Sequence, residues 1–109
     1  MRIDFNNYDH TIIPNFKGGI GQLDAQMFTD SMGKILQGRL QPGHTVGLHC
    51  HDTSAEIIFV LSGAGYAEVD GVRENLEPGV CTYCPKGSQH MMECVGDEDL
   101  VFFAVVPEL

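Results

Sequence analysis

Turn-forming pairs interrupt this chain at short intervals: Pro42-Gly43, Ser62-Gly63, Asp70-Gly71, Pro78-Gly79, Pro85-Lys86-Gly87 and Gly96-Asp97. Glycine and proline at such points break any long helix, so the segments between them must be short extended runs. Those runs are rich in β-branched and aromatic residues: Ile35–Leu40, Thr45–His51, Glu56–Leu61, Gly65–Val69, Val80–Cys84, His90–Cys94 and Leu100–Val106. Asp70-Gly71, between Tyr66–Val69 and Val72–Asn75, is the strongest hairpin signal, because a type I′ turn needs positive φ at both central residues. The first 33 residues are less regular. Lys17 to Gly21 reads as a loop, and Gln22–Phe28, with Leu23, Ala25 and Met27 alternating, fits a strand better than a short helix. Many short strands without a confident helix predict an all-β fold, a sandwich, jelly roll or small closed barrel. At 109 residues the expectation is one domain over 1–109, with an N-terminal arm and first strands in 1–33 and a barrel in 34–109.

Charge narrows the partners. Fifteen acidic against six basic residues give a net charge of −9. That opposes the counterion release behind nucleic-acid affinity and repels anionic lipid surfaces, so neither nucleic acid nor membrane is an expected partner. The longest apolar run, Leu100–Val106, is far shorter than the roughly 20 residues a spanning helix needs. Residues 1–7 hold no apolar signal core, which sets a cytoplasmic, reducing compartment as the expectation, with Cys50, Cys81, Cys84 and Cys94 as thiols.

The residues that carry chemistry are His49, His51, Glu56 and His90. In an extended run His49 and His51 project from one face and Cys50 from the other. A polar turn, Asp52-Thr53-Ser54, follows, and an antiparallel return of the next strand would set Glu56 beside the histidine pair. Imidazoles with a carboxylate suit zinc, iron, manganese, nickel, copper or cobalt, and His90 is the candidate third nitrogen.

These residues resemble a known family, the cupins, small jelly-roll barrels built as a double-stranded β-helix. The first cupin motif runs glycine, five residues, His-x-His, four residues, Glu, six residues, glycine, matched here by Gly43, His49, His51, Glu56 and Gly63. The second runs glycine, five residues, Pro-x-Gly, two residues, His, three residues, Asn; Gly79, Pro85, Gly87 and His90 match, and Cys94 stands at the Asn position. Chance agreement at nine such positions is roughly one in 10¹¹ to 10¹². The resemblance implies one divalent metal inside the barrel on His49, His51, Glu56 and His90, with positions left for water or substrate. Glycines 43, 63, 79 and 87 fit turns of positive φ, and Pro85 fixes φ before the corner that aims His90 inward.

Small metal cupins include dioxygenases, decarboxylases, lyases and isomerases, so the resemblance implies a metalloenzyme acting on a small polar or carboxylate-bearing molecule. The alternative it leaves is a non-catalytic barrel that binds or senses a sugar or carboxylate. Glu56, or metal-bound hydroxide, is the candidate for proton transfer. Family dimers, and an apolar ending longer than one core face requires, imply a homodimer. Met92 and Cys94 share the inward parity of His90, and Cys94 could be a core thiol or a thiol near the metal. Cys81-Thr82-Tyr83-Cys84 is a Cys-x-x-Cys without the helix terminus that activates such thiols. Tyr66 and Tyr83 are expected in packing, and His44 and His10 in solvent. Arg39 is the basic residue singled out as a partner for an anionic ligand. The cluster Glu93, Asp97, Glu98 and Asp99 reads as a solvated turn.

Overall fold

The computed structural model describes residues 1–109 as ten strands and one turn of 3-10 helix at Phe16–Gly18. The strands are β1 (Thr11–Pro14), β2 (Gln22–Asp30), β3 (Gly33–Leu40), β4 (Thr45–Cys50), β5 (Glu56–Ser62), β6 (Ala64–Val69), β7 (Val72–Leu76), β8 (Cys81–Cys84), β9 (Gln89–Val95) and β10 (Leu100–Pro107). They form two antiparallel sheets, one of six strands in the order β1-β2-β3-β10-β5-β8 and one of four in the order β4-β9-β6-β7. This is the jelly-roll arrangement of an all-β fold. Each expected run is a strand, and Gln22–Phe28 lies within β2. β7 is the return arm of the Asp70-Gly71 hairpin. β1 is the strand the sequence did not announce: it pairs β2 at the sheet edge and has almost no buried side chain, so it carries no alternation to read.

Alternation places the core between the sheets. Leu36 and Leu40 of β3, Ile58 and Val60 of β5, and Leu100 and Phe102 of β10 are buried there. Leu23 and Ala25 of β2 and Met92 and Cys94 of β9 join the same cluster. Outward residues of the six-stranded sheet stay in part exposed: Ile57, Phe59 and Leu61 keep 41%, 41% and 44% of their surface. The four motif glycines all have positive φ, from 81° at Gly43 to 90° at Gly79.

The topology corrects one expectation. β4 and β5 do not pair; they belong to opposite sheets. The neighbour of β4 is β9, which sets His90 directly opposite His49. Glu56 therefore reaches the histidines across the barrel interior rather than along a ladder. The register of β4 on β9 also shifts between Val46 and His49, and Gly47 lies in that interval. A side chain there would stand 2.2 Å from the carbonyl oxygen of Lys17, so glycine at 47 is what lets the N-terminal arm pack against the strand.

Candidate metal centre

His49 is the last but one residue of β4, His51 follows one residue past the strand, His90 is the second residue of β9, and Glu56 opens β5. The backbone of His51 is clamped by the Pro85-Lys86-Gly87 corner: its N–H donates to Ser88 O at 3.0 Å and its carbonyl accepts from Gly87 N–H at 2.7 Å. That corner thus fixes His51 as well as leading into His90. The three Nε2 atoms converge, with His49 3.2 Å from His51, His51 3.0 Å from His90 and His90 3.2 Å from His49. Glu56 Oε1 lies 3.2 Å from His51 Nε2 and 3.0 Å from His90 Nε2. All four ligand atoms fall within 4.8 Å of one another. His51 and His90 are buried, and the Glu56 side chain is 13% exposed.

The donor set fits a cation. Two ligand atoms each about 2.1 Å from one ion and at right angles lie about 3.0 Å apart, the spacing seen here. The far nitrogens are held as metal-binding imidazoles require: His49 Nδ1 faces Gly47 O at 2.7 Å, a contact in which the ring must donate, and His51 Nδ1 faces Ser54 Oγ at 2.8 Å. Donation at His49 Nδ1 leaves a lone pair on Nε2, pointing into the cluster. Glu56 makes ion-pair contacts with His51 and His90 but not with His49, so the carboxylate and His49 stand on opposite sides. A closed tetrahedron would space all six pairs equally; this set instead leaves one side of the cluster without a protein ligand.

Electrostatics follow from burial and contact. Burial opposes ionisation of Glu56, but hydrogen bonds and charge from His51 and His90 outweigh it and hold the carboxyl at about 2. Burial, aided by the neighbouring His90 and His51, lowers the proton affinity of His49 even against its contact with Gly47. Both effects favour the charge states that bind a metal.

The cluster lines a cavity of ≈ 350 Å³, within the usual range for small-molecule sites. Its wall is part polar and part apolar, the apolar part including Met27, Leu36, Val46, Ile58, Met92 and Phe102. Two of the six basic residues, Lys17 and Lys34, also line it. Arg39, the cation singled out from sequence, does not: it lies on the exposed face of β3 and pairs with Asp99 at 3.1 Å. Its parity is opposite to that of Leu36 and Leu40, whereas Lys34 shares theirs, and that parity was the available signal. Ser54 was also missed, since a serine two residues before a strand has no signature until its histidine partner is placed.

Other candidates separate from the site. Met92 lines the cavity, but Cys94 does not; it lies four residues further along β9, about 13 Å from His90, and its thiol meets Glu98 O at 3.2 Å. Burial raises its proton affinity. Cys81 and Cys84 lie on opposite faces of β8, exposed and buried, so they form no dithiol; burial, with the charge of Glu56, pushes Cys84 up to about 11. Tyr66 sits under the Arg73 guanidinium, 3.7 Å away, and donates to Glu93 at 3.1 Å, while Tyr83 is exposed. Glu93 is thereby part of β9, and Asp97 and Glu98 are solvated. His10 is exposed and pairs with Asp24 at 2.7 Å. His44 is not in solvent: it is half-buried and accepts Gln22 N–H at 3.1 Å.

The cupin domain model matches residues 37–106, the span that contains all four ligand candidates. The chain belongs to the cupin family. A Thermotoga maritima protein named oxalate-binding protein is 30% identical to this cupin over 100 residues, 86% of this chain and 83% of its own. A solved Thermotoga maritima structure, described as a predicted oxalate decarboxylase, superposes with a TM-score of 0.94 at 27% identity, covering 100% of both chains. A 5-nitrosalicylic acid 1,2-dioxygenase from Bradyrhizobium is 30% identical over 66 residues, which are 61% of this cupin but 31% of that enzyme.

Proposed function

We propose that this cupin holds one divalent transition metal on His49, His51, Glu56 and His90 and acts as a metalloenzyme on a small carboxylate-bearing molecule. The observation that carries the reading is the convergence of three Nε2 atoms and one carboxylate oxygen at the wall of a cavity, with one side free of protein ligands. A metal there supplies Lewis acidity toward a carboxylate, carbonyl or enediol, and redox chemistry where it is iron. The chain's own part is to hold the imidazoles in place, favour the neutral form of His49, and orient the ligand. Proton transfer is assigned to Glu56 as a relay, because it is the one carboxylate in contact with the histidines.

The relative named oxalate-binding protein favours a second reading, a barrel that binds a carboxylate without turning it over. Metal analysis with calorimetry separates the two. The chain reconstituted in turn with Fe²⁺, Mn²⁺, Ni²⁺ and Zn²⁺ should bind oxalate and 2-oxo acids at least about a hundredfold more tightly than the metal-free chain. Carbon dioxide release, oxygen uptake or isomerisation with one of these metals supports the enzyme; binding without any turnover supports the second reading. Equal affinity with and without metal overturns both. Turnover in Glu56→Gln at the full rate, with metal retained, removes the relay role.

The proposal includes a homodimer. Ile57, Phe59 and Leu61, each about two-fifths exposed, present an apolar row on the outer face of β5, beside Phe103 of β10. Light scattering should give twice the 11.9 kDa chain mass, and Phe59→Lys should return it to one; a wild-type monomer overturns this part.

A further inference from the structure

Lys34 is a cation set into the inward face of the barrel. Leu36, Gly38 and Leu40, the other residues of its parity on β3, are all buried. Lys34 stands at the open end of that row, half-buried, and lines the same cavity as the histidine cluster. It makes none of the five ion pairs in the molecule; Glu108, which also lines the cavity, accepts from the Thr53 hydroxyl at 2.8 Å and is not paired with the lysine. In a chain of net charge −9 a half-buried lysine that makes no ion pair and lines a cavity is placed to receive an anion.

The sheet register measures how far that cation is from the cluster. Val106 of β10 is opposite Lys34 of β3. On the other side of β10, Ile57 faces Val105 and Ser54 faces Glu108, which places Glu56 opposite Val106. Lys34, Val106 and Glu56 thus form one row across three strands, and the Lys34 and Glu56 Cα atoms lie about 10 Å apart. Between them the row itself is apolar at Val106, and the next row inward adds Leu36 of β3 and Ile58 of β5, both in the cavity wall. A two-carbon dianion seated at the cluster would leave both this wall and Lys34 unused.

We infer that the ligand is an elongated dianion. One carboxylate sits at the histidine cluster, an apolar middle lies against Val106, Leu36 and Ile58, and a second anionic group pairs with Lys34, which sets the preferred length. The inference rests on the metal-site reading and deepens it by naming the substrate class. Lys34 is a specificity-determining residue in this account and takes no part in holding the metal.

The test is calorimetric titration of the Mn²⁺-reconstituted full chain with oxalate, succinate, glutarate, adipate and pimelate, in the wild type, Lys34→Gln and Lys34→Arg, with metal content measured in each. The expected result is an affinity that peaks at a dicarboxylate longer than oxalate. Lys34→Gln should weaken the preferred member about tenfold or more, shift oxalate by less than about twofold, and keep its metal, while Lys34→Arg recovers most of the loss. Oxalate as the tightest ligand, or equal affinities in Lys34→Gln and wild type, overturns the inference while leaving the metal reading intact. A chain that takes up no metal overturns the metal reading; in that case a Lys34-dependent preference for the longer dicarboxylates, measured on the metal-free chain, supports the anion subsite by itself, and its absence overturns that too.

Discussion

Replacing His51 and His90 together by alanine should abolish metal retention, from about one ion per chain after reconstitution and desalting to less than about a tenth. These two are the decisive pair because each lies within 3.2 Å of the other, of His49 and of the Glu56 carboxylate. Deleting them leaves one imidazole and one carboxylate on opposite sides, too few to compete with water. Ser54→Ala, which leaves every ligand in place and removes the contact at His51 Nδ1, should give a graded loss of about 10–100-fold in metal affinity. Elemental analysis and competition against a chelator measure both; full occupancy in the double variant would place the ion elsewhere. Acid should reproduce the deletion. Both His49 and Glu56 bind protons less readily in the folded chain than outside it, so the unfolded chain takes up the extra protons and stability of the metal-free protein rises with pH. The His49 contribution is whole above its ordinary value of 6.5 and is lost as pH falls through the lowered one. The Glu56 contribution is whole above 4.5 and is lost as pH falls through about 2.

Phe102→Ala should lower the stability of the metal-free protein by about 3–5 kcal/mol, the range for a buried aromatic truncated without collapse of its site. For a chain of this size that is a fall in Tm of more than about 12 °C. Phe102 is 2% exposed, lies on the central strand of the larger sheet and also walls the cavity. Its cross-strand partner is Gly38, and a Cβ at that position would fall 2.4 Å from the Phe102 ring. Gly38→Ala alone should therefore cost about 1–3 kcal/mol by overpacking. In the double variant the methyl occupies space the ring has vacated, so the combined loss should be smaller than the two losses added, with a coupling of about 0.5–3 kcal/mol. Urea unfolding of the four proteins closes the cycle; strictly additive losses would show that the ring and the glycine do not share space.

The fold was legible where alternation and turn chemistry agree. The Asp70-Gly71 hairpin, the inward parity of Met92 and Cys94, and the glycine turns follow from local rules, and the structure has them as read. That His49, His51, Glu56 and His90 would cluster was legible from spacing, because four residues at fixed intervals leave few alternatives. What local rules do not carry is which strand lies beside which. Glu56 was assigned to a ladder with the histidines and instead reaches them from the opposite sheet, since sequence order says nothing about a strand that changes sheets at a turn. The same gap produced Arg39 in place of Lys34: a cation's value depends on the face it occupies, and parity along β3, anchored by Leu36 and Leu40, separates the two. β1 left no trace because an exposed edge strand needs no apolar side chains.

An ion held as proposed would be a clasp, because its four candidate ligands are divided between two sheets. His49 and His90 hang from one sheet and Glu56 from the other, so coordination would fasten this end of the barrel where the opposite end is fastened by buried leucines such as Leu40 and Leu100. Ligand atoms assembled this way exist together only once both sheets have closed on each other, and occupancy then stabilises the closed state by mass action, about 2.7 kcal/mol when free metal is a hundredfold above its dissociation constant. Scarcity of that metal would then be felt twice, as missing chemistry and as lower stability of the closed barrel.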